Sequence, residues 1–330
     1  MKTVLVTGGA GYVGTLLCKQ LIENNYNVIV YDTFWFGDFI EDHKNLTKIK
    51  GDVRNLQPII DIDNQIDSVI HLACISNDNT FELNEKLSEE INYNAFKPLL
   101  NCLKNKGVKR FINASSSSVY GFSDSPNVTE SHPLVPLTLY NKFKGLCEPI
   151  LFENHSNNFV CINVRPATVC GYSPRMRFDL SVNILTHLAT RKKEITVFGG
   201  KQMRPNLHIK DMCNFYQYLL EADSNLVGGQ TFNISGENIS IENIASKVKQ
   251  IFKDSYDQDI KIKKVESEDD KRSYYLNSDK VKNHLKFELK YNVDDAIHEI
   301  YSILKKDEFS DSLENDQYYN IRTLKKLNIS

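Results

Sequence analysis

The stretch TGGAGYVG, residues 7–14, admits few folds. An apolar run, KTVLVT, leads into it, and LLCKQLIENN follows with helical periodicity. Gly8, Gly11 and Gly14 recur at every third position between that strand and that helix. The spacing suits a tight turn at Gly8, close approach of backbone to a pyrophosphate at Gly11, and close helix packing at Gly14. Free N–H groups and the dipole at the helix N-terminus favour an anion there, with Tyr12 and Val13 beside it. Glycines alone are weak grounds; the context and a following acid strengthen them. That acid is Asp32, 18 residues after Gly14, closing the run NVIVYD. A carboxylate there accepts from both hydroxyls of an adenosine ribose and repels a 2′-phosphate. The neighbouring Thr33-Phe34-Trp35-Phe36 brings no arginine to neutralise one. The pattern predicts NAD rather than NADP.

The rest of the first half keeps the same rhythm. KIKGD (48–52), DSVIHLAC (67–74), KRFINAS (109–115) and FVCINVRPATV (159–169) are apolar strands, with helical stretches such as 85–106 and 138–154 between them. Unbroken apolar strands alternating with helices predict an α/β fold, a Rossmann-type doubly wound parallel sheet covered on both faces. Asp52 and Val53 fall at the third strand's end, where the adenine edge is expected. Leu72, Ala73 and Ile75 end the fourth strand, where backbone passes close to the cofactor. From about residue 175 the rhythm changes, which predicts a smaller α+β substrate domain over 175–330 after an NAD-binding domain over 1–174. Residues 206–236 are expected to return to the first domain. The final stretch, DEFSDSLENDQYYNIRTLKKLNIS, is polar and expected to fray.

Composition closes off other classes. The 330 residues carry a net charge of −2, which gives no general attraction to nucleic acid or an anionic membrane. No apolar run approaches the ~18 residues of a membrane span. The apolar run at the N-terminus ends at Thr7, too short for a signal peptide, so a cytoplasmic location is expected. Seven cysteines are scattered without a C-x-x-C pair, which disfavours a disulfide framework and a zinc site. No arrangement of histidines and carboxylates suggests a metal.

Two further stretches carry chemistry: NASSSSVYG (113–121) and LYNKFKG (139–145). Tyr140 and Lys144 stand at i and i+4, on one face of a helix. A phenol of pKa near ~10 is a poor base at neutral pH. A lysine ammonium beside it, with an oxidised nicotinamide, favours the tyrosinate and makes Tyr140 a usable general base for an alcohol. A serine from the neighbouring strand end would hold the same oxygen.

The ensemble TGGAGYVG, Asp32, HLAC, SSSSVYG, YNKFK, RPATVCG and RPNLHIKD resembles the extended short-chain dehydrogenase/reductase family. Within it the chain resembles the nucleotide-sugar epimerases and dehydratases, from residue 3 to about 290. The resemblance implies NAD held tightly, hydride transfer at sugar C4, and a nucleotide-diphosphate sugar in the cleft between two domains. It places the catalytic hydroxyl three residues before Val-Tyr-Gly, at Ser116, with Ser117 the second choice and a substrate contact. Family members that dehydrate the sugar carry Asp-Glu after that hydroxyl; here Ser117 and Ser118 stand there. A serine neither protonates a departing C6 hydroxyl nor removes a C5 proton efficiently, so a 4,6-dehydratase is disfavoured and a decarboxylase weakened. The resemblance is nearest to the C4 epimerases. A C4 dehydrogenase or reductase with retained NADH is the alternative, and a non-catalytic dinucleotide-binding regulator is the alternative of another class.

The resemblance also implies Pro166 beside the nicotinamide, and substrate contacts from Thr168, Arg175, Arg177, Arg204 and Arg272, with Ser76 and Asn77 near the hexose. Cys170 replaces the family's usual tyrosine. His71, His208 and Asp211 read as structural. Pro98 and Pro149 lie inside helical patterns, where proline bends a helix. Family members commonly pair these two helices across a dimer, so a homodimer with bent interface helices is expected.

Overall fold

A computed structural model of the chain describes residues 1–266 and 273–329. Arg272 lies outside the described residues. In chain order the strands are β1 Thr3–Thr7, β2 Asn27–Asp32, β3 Leu46–Lys50, β4 Ser68–His71, β5 Arg110–Ala114 and β6 Val160–Pro166. Then come β7 Thr168–Cys170, β8 Glu194–Phe198, β9 Met203–His208, β10 Gln230–Ile234, β11 Glu237–Ser240 and β12 Lys261–Val265.

Seven of them form one parallel sheet in the order β10-β6-β5-β4-β1-β2-β3. Successive side chains point to opposite faces of a strand, and both faces are buried. Val4, Val6, Val28 and Val30 enter one core, while Leu5, Ile29 and Tyr31 enter the other. This is why the strands read as unbroken apolar runs. The order reverses between β1 and β4, opening a crevice at the carboxyl ends of these two strands. Gly8 turns the chain there with φ +75, and a Cβ would lie 2.5 Å from the Ala73 amide nitrogen. A Cβ at Gly14 would lie 2.5 Å from the Gly8 carbonyl oxygen, so the helix Tyr12–Glu23 packs closely on the turn.

The periodic stretch 85–106 is not one helix. It divides into Glu85–Glu89, a π-turn over Glu90–Asn94 and the helix Phe96–Asn105. The Ala95 amide donates to Glu90, one residue beyond the α-helical partner. Pro98 thereby falls in the first turn of the last helix, where a missing N–H is no loss. Pro149, by contrast, sits inside the continuous helix Leu139–Glu153.

Beyond residue 175, β10 joins the large sheet beside β6 and the helix Ile209–Glu221 packs on Tyr12–Glu23. A mixed sheet, β11-β9-β7, and a parallel pair, β12-β8, lie outside it. A third core gathers Val182, Ile195, Val248, Phe252 and Ile297 there. The polar C-terminal stretch does not fray over its described part. Tyr318, Tyr319 and Leu324 are buried, the Phe178 amide donates to the Tyr318 carbonyl at 3.0 Å, and Asn320–Lys326 is helical. With Phe309, four buried apolar side chains anchor this otherwise polar run. Among the described residues no helix is long and apolar enough to cross a membrane.

Candidate active site

A cleft of about 350 Å³ runs across the carboxyl ends of β1 to β6. Every described residue predicted for the site lines it except Arg204. Arg204 lies on β9 opposite Ile239, with Nη1 donating to the Met203 carbonyl at 3.0 Å. It is not among the residues that line the cleft, where the resemblance had put it.

On one half of the cleft, Asp32 ties the glycine turn to the end of β2. Its carboxylate accepts from the Ala10 amide at 3.0 Å and the Phe34 amide at 2.8 Å. Burial raises its pKa above the usual aspartate value, and these two N–H groups and Arg175 pull it back. Tyr12 donates through its hydroxyl to the Gly171 carbonyl at 2.6 Å, which joins the helix start to the loop after β7. Asp52 lines the cleft with its carboxylate held by Arg54 at 2.8 and 3.0 Å. Burial opposes its ionisation, and the Arg54 hydrogen bonds outweigh burial, leaving its pKa low.

The other half holds the serines, and they divide by alternation. Ser115 donates to the Glu148 carboxylate at 2.6 Å, and Ser117 shares a 2.9 Å hydrogen bond with the Tyr274 hydroxyl; both are buried. Ser116 and Ser118 are half-buried, with their hydroxyls 2.7 Å apart. Ser116 is extended (φ −158) at the end of β5 and accepts the Ser118 amide at 3.1 Å, capping a short turn. Ser116 also acts on the Tyr140 phenol, favouring its ionised form. Tyr140 enters from the first turn of Leu139–Glu153, a helix capped by Thr138.

Burial pushes the Tyr140 phenol well above its ordinary pKa, and Cys74 and Asp78 push in the same direction. Arg177 and the Ser116 hydrogen bond pull it back. The expected cation was Lys144. Its ammonium is buried and donates to the Ala114 carbonyl at 2.7 Å, so it fastens the tyrosine helix to the end of β5. Helical spacing put Lys144 on the right face, and a strand-end carbonyl then captured its charge.

Ser76 accepts from Arg177 Nη1 at 3.2 Å and from Asn320 Nδ2 at 3.1 Å. Asn77 has φ 73 and caps a short helix by accepting the Thr80 amide at 3.0 Å. Thr168 and Pro166 line the cleft from β7 and β6. His71 bonds Thr7, and Asp211 accepts the Lys290 and Tyr291 amides, in keeping with structural roles. His208 Nδ1 accepts the Lys210 amide as a helix cap. Burial pushes the Cys170 thiol up, away from reactivity.

Sequence reasoning missed Asp78, Tyr274 and Asn320, which also line the cleft. Tyr274 stands two residues after the predicted Arg272, so its stretch was marked. Asn320 carried no local signal.

The residues fit a dinucleotide. The glycine turn leaves no room for a Cβ at Gly8, a carboxylate stands at the end of β2, and two buried arginine nitrogens, Arg175 Nε and Arg177 Nη2, have no hydrogen-bond partner.

A family model described as "NAD dependent epimerase/dehydratase family" matches residues 4–235. UDP-glucuronic acid decarboxylase 6 of Arabidopsis thaliana is 29% identical over 310 residues, 89% of this chain and 86% of that one. UDP-glucose 4-epimerase of Bacillus subtilis is 25% identical over 263 residues, 70% of this chain and 76% of that one. Among solved structures, UDP-glucuronic acid 4-epimerase from Bacillus cereus, in complex with UDP-glucuronic acid and NAD, is similar with a TM-score of 0.78 at 26% identity. That likeness covers 92% of this chain and 99% of the other.

Proposed function

The chain belongs to the NAD-dependent epimerase/dehydratase family, and from that premise we propose that it is a nucleotide-sugar C4 epimerase. The observation that carries this reading is the meeting of Ser116, Tyr140 and Lys144 in one cleft, followed by serines at 117 and 118 rather than acids. Gly8, Gly11, Tyr12, Val13 and Asp32 would hold the NAD. Bound there, it supplies a reversible hydride acceptor for the sugar's C4.

The chain's own residues handle the proton and the geometry. Tyr140 takes the proton of the C4 hydroxyl and later returns it. Ser116 would hold that oxygen, since it lines the same cleft and favours the Tyr140 phenolate. Lys144 holds the tyrosine helix against β5, keeping Tyr140 and Ser116 in register. Ser117 is occupied by Tyr274 and has no acidity to lend. Asp78 is a carboxylate that acts on the Tyr140 phenol, and it accepts the Thr138 hydroxyl at the start of the tyrosine helix. Half-buried Ser118 and Thr168 would face the sugar as it turns between its two orientations.

The relatives' names make UDP-sugars the first candidates. The test is incubation of the NAD-loaded protein with UDP-glucose and UDP-glucuronic acid, followed by NMR. The expected product is the C4 epimer with C6 intact. Release of a 4-keto sugar with growing absorbance at 340 nm would replace epimerisation by net C4 oxidation. Loss of the C6 hydroxyl, or of the carboxylate as carbon dioxide, would replace it by dehydration or decarboxylation.

The reading extends to a homodimer. The helices Phe96–Asn105 and Leu139–Glu153 pack together, and Pro98, Asn101, Leu146 and Pro149 face outward from them. Leu146, Val135, Leu137 and Leu139 are all exposed apolar side chains. Sedimentation is expected to give a dimer, and Leu146→Asp is expected to shift it toward monomer. A monomer mass independent of concentration removes this part of the reading.

A further inference from the structure

Arg175 and Arg177 stand two residues apart in the segment between β7 and the helix Ser181–Lys192. Both line the cleft, with only 2% and 7% of their surface exposed. A guanidinium in such a place needs its charge and its N–H groups met, or it strongly destabilises the fold. Theirs are met only in part. Arg175 donates through Nη2 to Asn320 Oδ1 at 2.6 Å and lies 4.2 Å from the centre of the Phe36 ring. Its Nε has no partner, and the carboxylates of Asp179 and Asp32 act on its charge only through space. Arg177 donates through Nε to Asp179 at 2.8 Å and through Nη1 to Ser76 at 3.2 Å, and its Nη2 has no partner. The pair thus shares one directly bonded carboxylate. The Arg175 guanidinium is pushed down to about 9, first by burial and then by its neighbour Arg177.

Their place identifies the missing anion. The Arg175 amide lies 3.4 Å from Thr15 Oγ1, in the first turn of the glycine-turn helix, and its guanidinium covers Phe36, just past Asp32. Arg177 reaches Ser76, just past β4. The two cations therefore span the crevice between the β2 side and the β4 side, where the strand order reverses. A dinucleotide stretching from Asp32 to Ser116 crosses that point with its middle, and its middle carries two negative charges.

We propose that Arg175 and Arg177 form a clamp on the diphosphate of NAD, facing the glycine turn, with Asn320 holding Arg175 in place. This moves both residues from the sugar nucleotide, where the resemblance put them, to the cofactor. It rests on the cleft being the NAD site. The guanidinium fork suits phosphate oxygens, and each charge-assisted contact is strong enough to matter singly.

The chain's one tryptophan, Trp35, lines the same cleft, so its fluorescence reports occupancy without turnover. The full-length protein, freed of nucleotide, is titrated with NAD, with ADP-ribose and with adenosine, which lacks the diphosphate. Arg175→Gln and Arg177→Gln are each expected to weaken NAD and ADP-ribose by about tenfold to a hundredfold. Adenosine should stay within about threefold, and the loss of NAD affinity with added salt should become shallower. Arg175→Lys and Arg177→Lys should recover part of the affinity. NAD released by heat from each purified variant gives a second measure, usable if nucleotide cannot be stripped.

Unchanged NAD and ADP-ribose affinity, with weakened binding of UDP-glucose to the NAD-saturated protein, would return the arginines to the substrate and overturn the clamp. An equal loss for adenosine would also overturn it, because the diphosphate would then not be what they recognise. Failure of the parent protein to bind NAD would instead strike the cofactor reading itself. Should Arg175→Gln not fold, Arg177→Gln and the two lysine variants decide the matter.

Discussion

Replacing Tyr140 by phenylalanine is expected to end turnover while NAD stays bound. A positioned general base contributes roughly 10²–10⁴-fold, and Phe keeps the ring while removing the one oxygen that can take the C4 proton. The pH dependence follows from the environment. Burial disfavours the phenolate most, and Cys74 and Asp78 add to this; Arg177 and Ser116 oppose it without reversing it. A raised pKa means that the protonated, inactive phenol dominates at neutral pH in the nucleotide-free protein. Activity should therefore rise with pH along the limb set by this group. The positive nicotinamide of oxidised NAD should draw that limb downward. The difference in absorbance at 295 nm between the parent and Tyr140→Phe isolates this phenol from the others. Without NAD its phenolate should appear only above the usual ~10 of a free tyrosine, and with NAD at lower pH. Turnover near the parent rate in Tyr140→Phe would defeat the catalytic assignment.

The features legible in the sequence were those that neighbours along the chain determine. The glycine turn could be read because Gly8 needs φ +75 and lies against the Ala73 backbone, so only glycine fits. The parallel sheet could be read because both faces of each central strand are buried, which turns alternation into an unbroken apolar run. The resemblance chose Ser116 among four serines, and at this strand end alternation turns Ser116 and Ser118 away from the core contacts that hold Ser115 and Ser117. Features that depend on distant chain segments escaped. The i, i+4 spacing predicted Lys144 beside the phenol, but the Ala114 carbonyl takes its ammonium, and the cation acting on Tyr140 comes from Arg177 in another segment. Asn320 reaches the cleft only because Tyr318, Tyr319 and Leu324 dock a tail whose composition reads as solvated. Arg204 is not among the residues lining the cleft, and its backbone is placed by a pairing with β11 that no local pattern announces.

The second large effect is expected at Glu148, two helical turns after Tyr140 on the same helix. Its carboxylate accepts from Arg165 Nε at 2.9 Å and Nη2 at 2.5 Å, and from Ser115 Oγ at 2.6 Å. Arg165 also donates to the Tyr120 hydroxyl at 2.6 Å, and that hydroxyl donates to Asn233 Oδ1 at 2.7 Å. One network thus ties the tyrosine helix, the end of β5, β6 and β10. Both partners of the ion pair are almost wholly buried, with side-chain exposures of 6% and 5%. An exposed pair such as Lys2–Glu221 contributes at most about 1 kcal/mol. Removing one member of a buried pair leaves the other charged and unmet, and Glu148→Ala is expected to cost about 3–5 kcal/mol. Urea unfolding should show this as a lower midpoint with an unchanged slope. Glu148→Gln keeps the volume and part of the hydrogen bonding, so it should lose less. Replacing both Glu148 and Arg165 by methionine should recover stability relative to Glu148→Ala, because no orphaned charge remains. The double variant would still lose the bond to Ser115, the residue before Ser116, so turnover should stay low after stability returns. A loss below about 1 kcal/mol in Glu148→Ala would mean that water reaches Arg165 and that the network does not hold the helix bearing Tyr140.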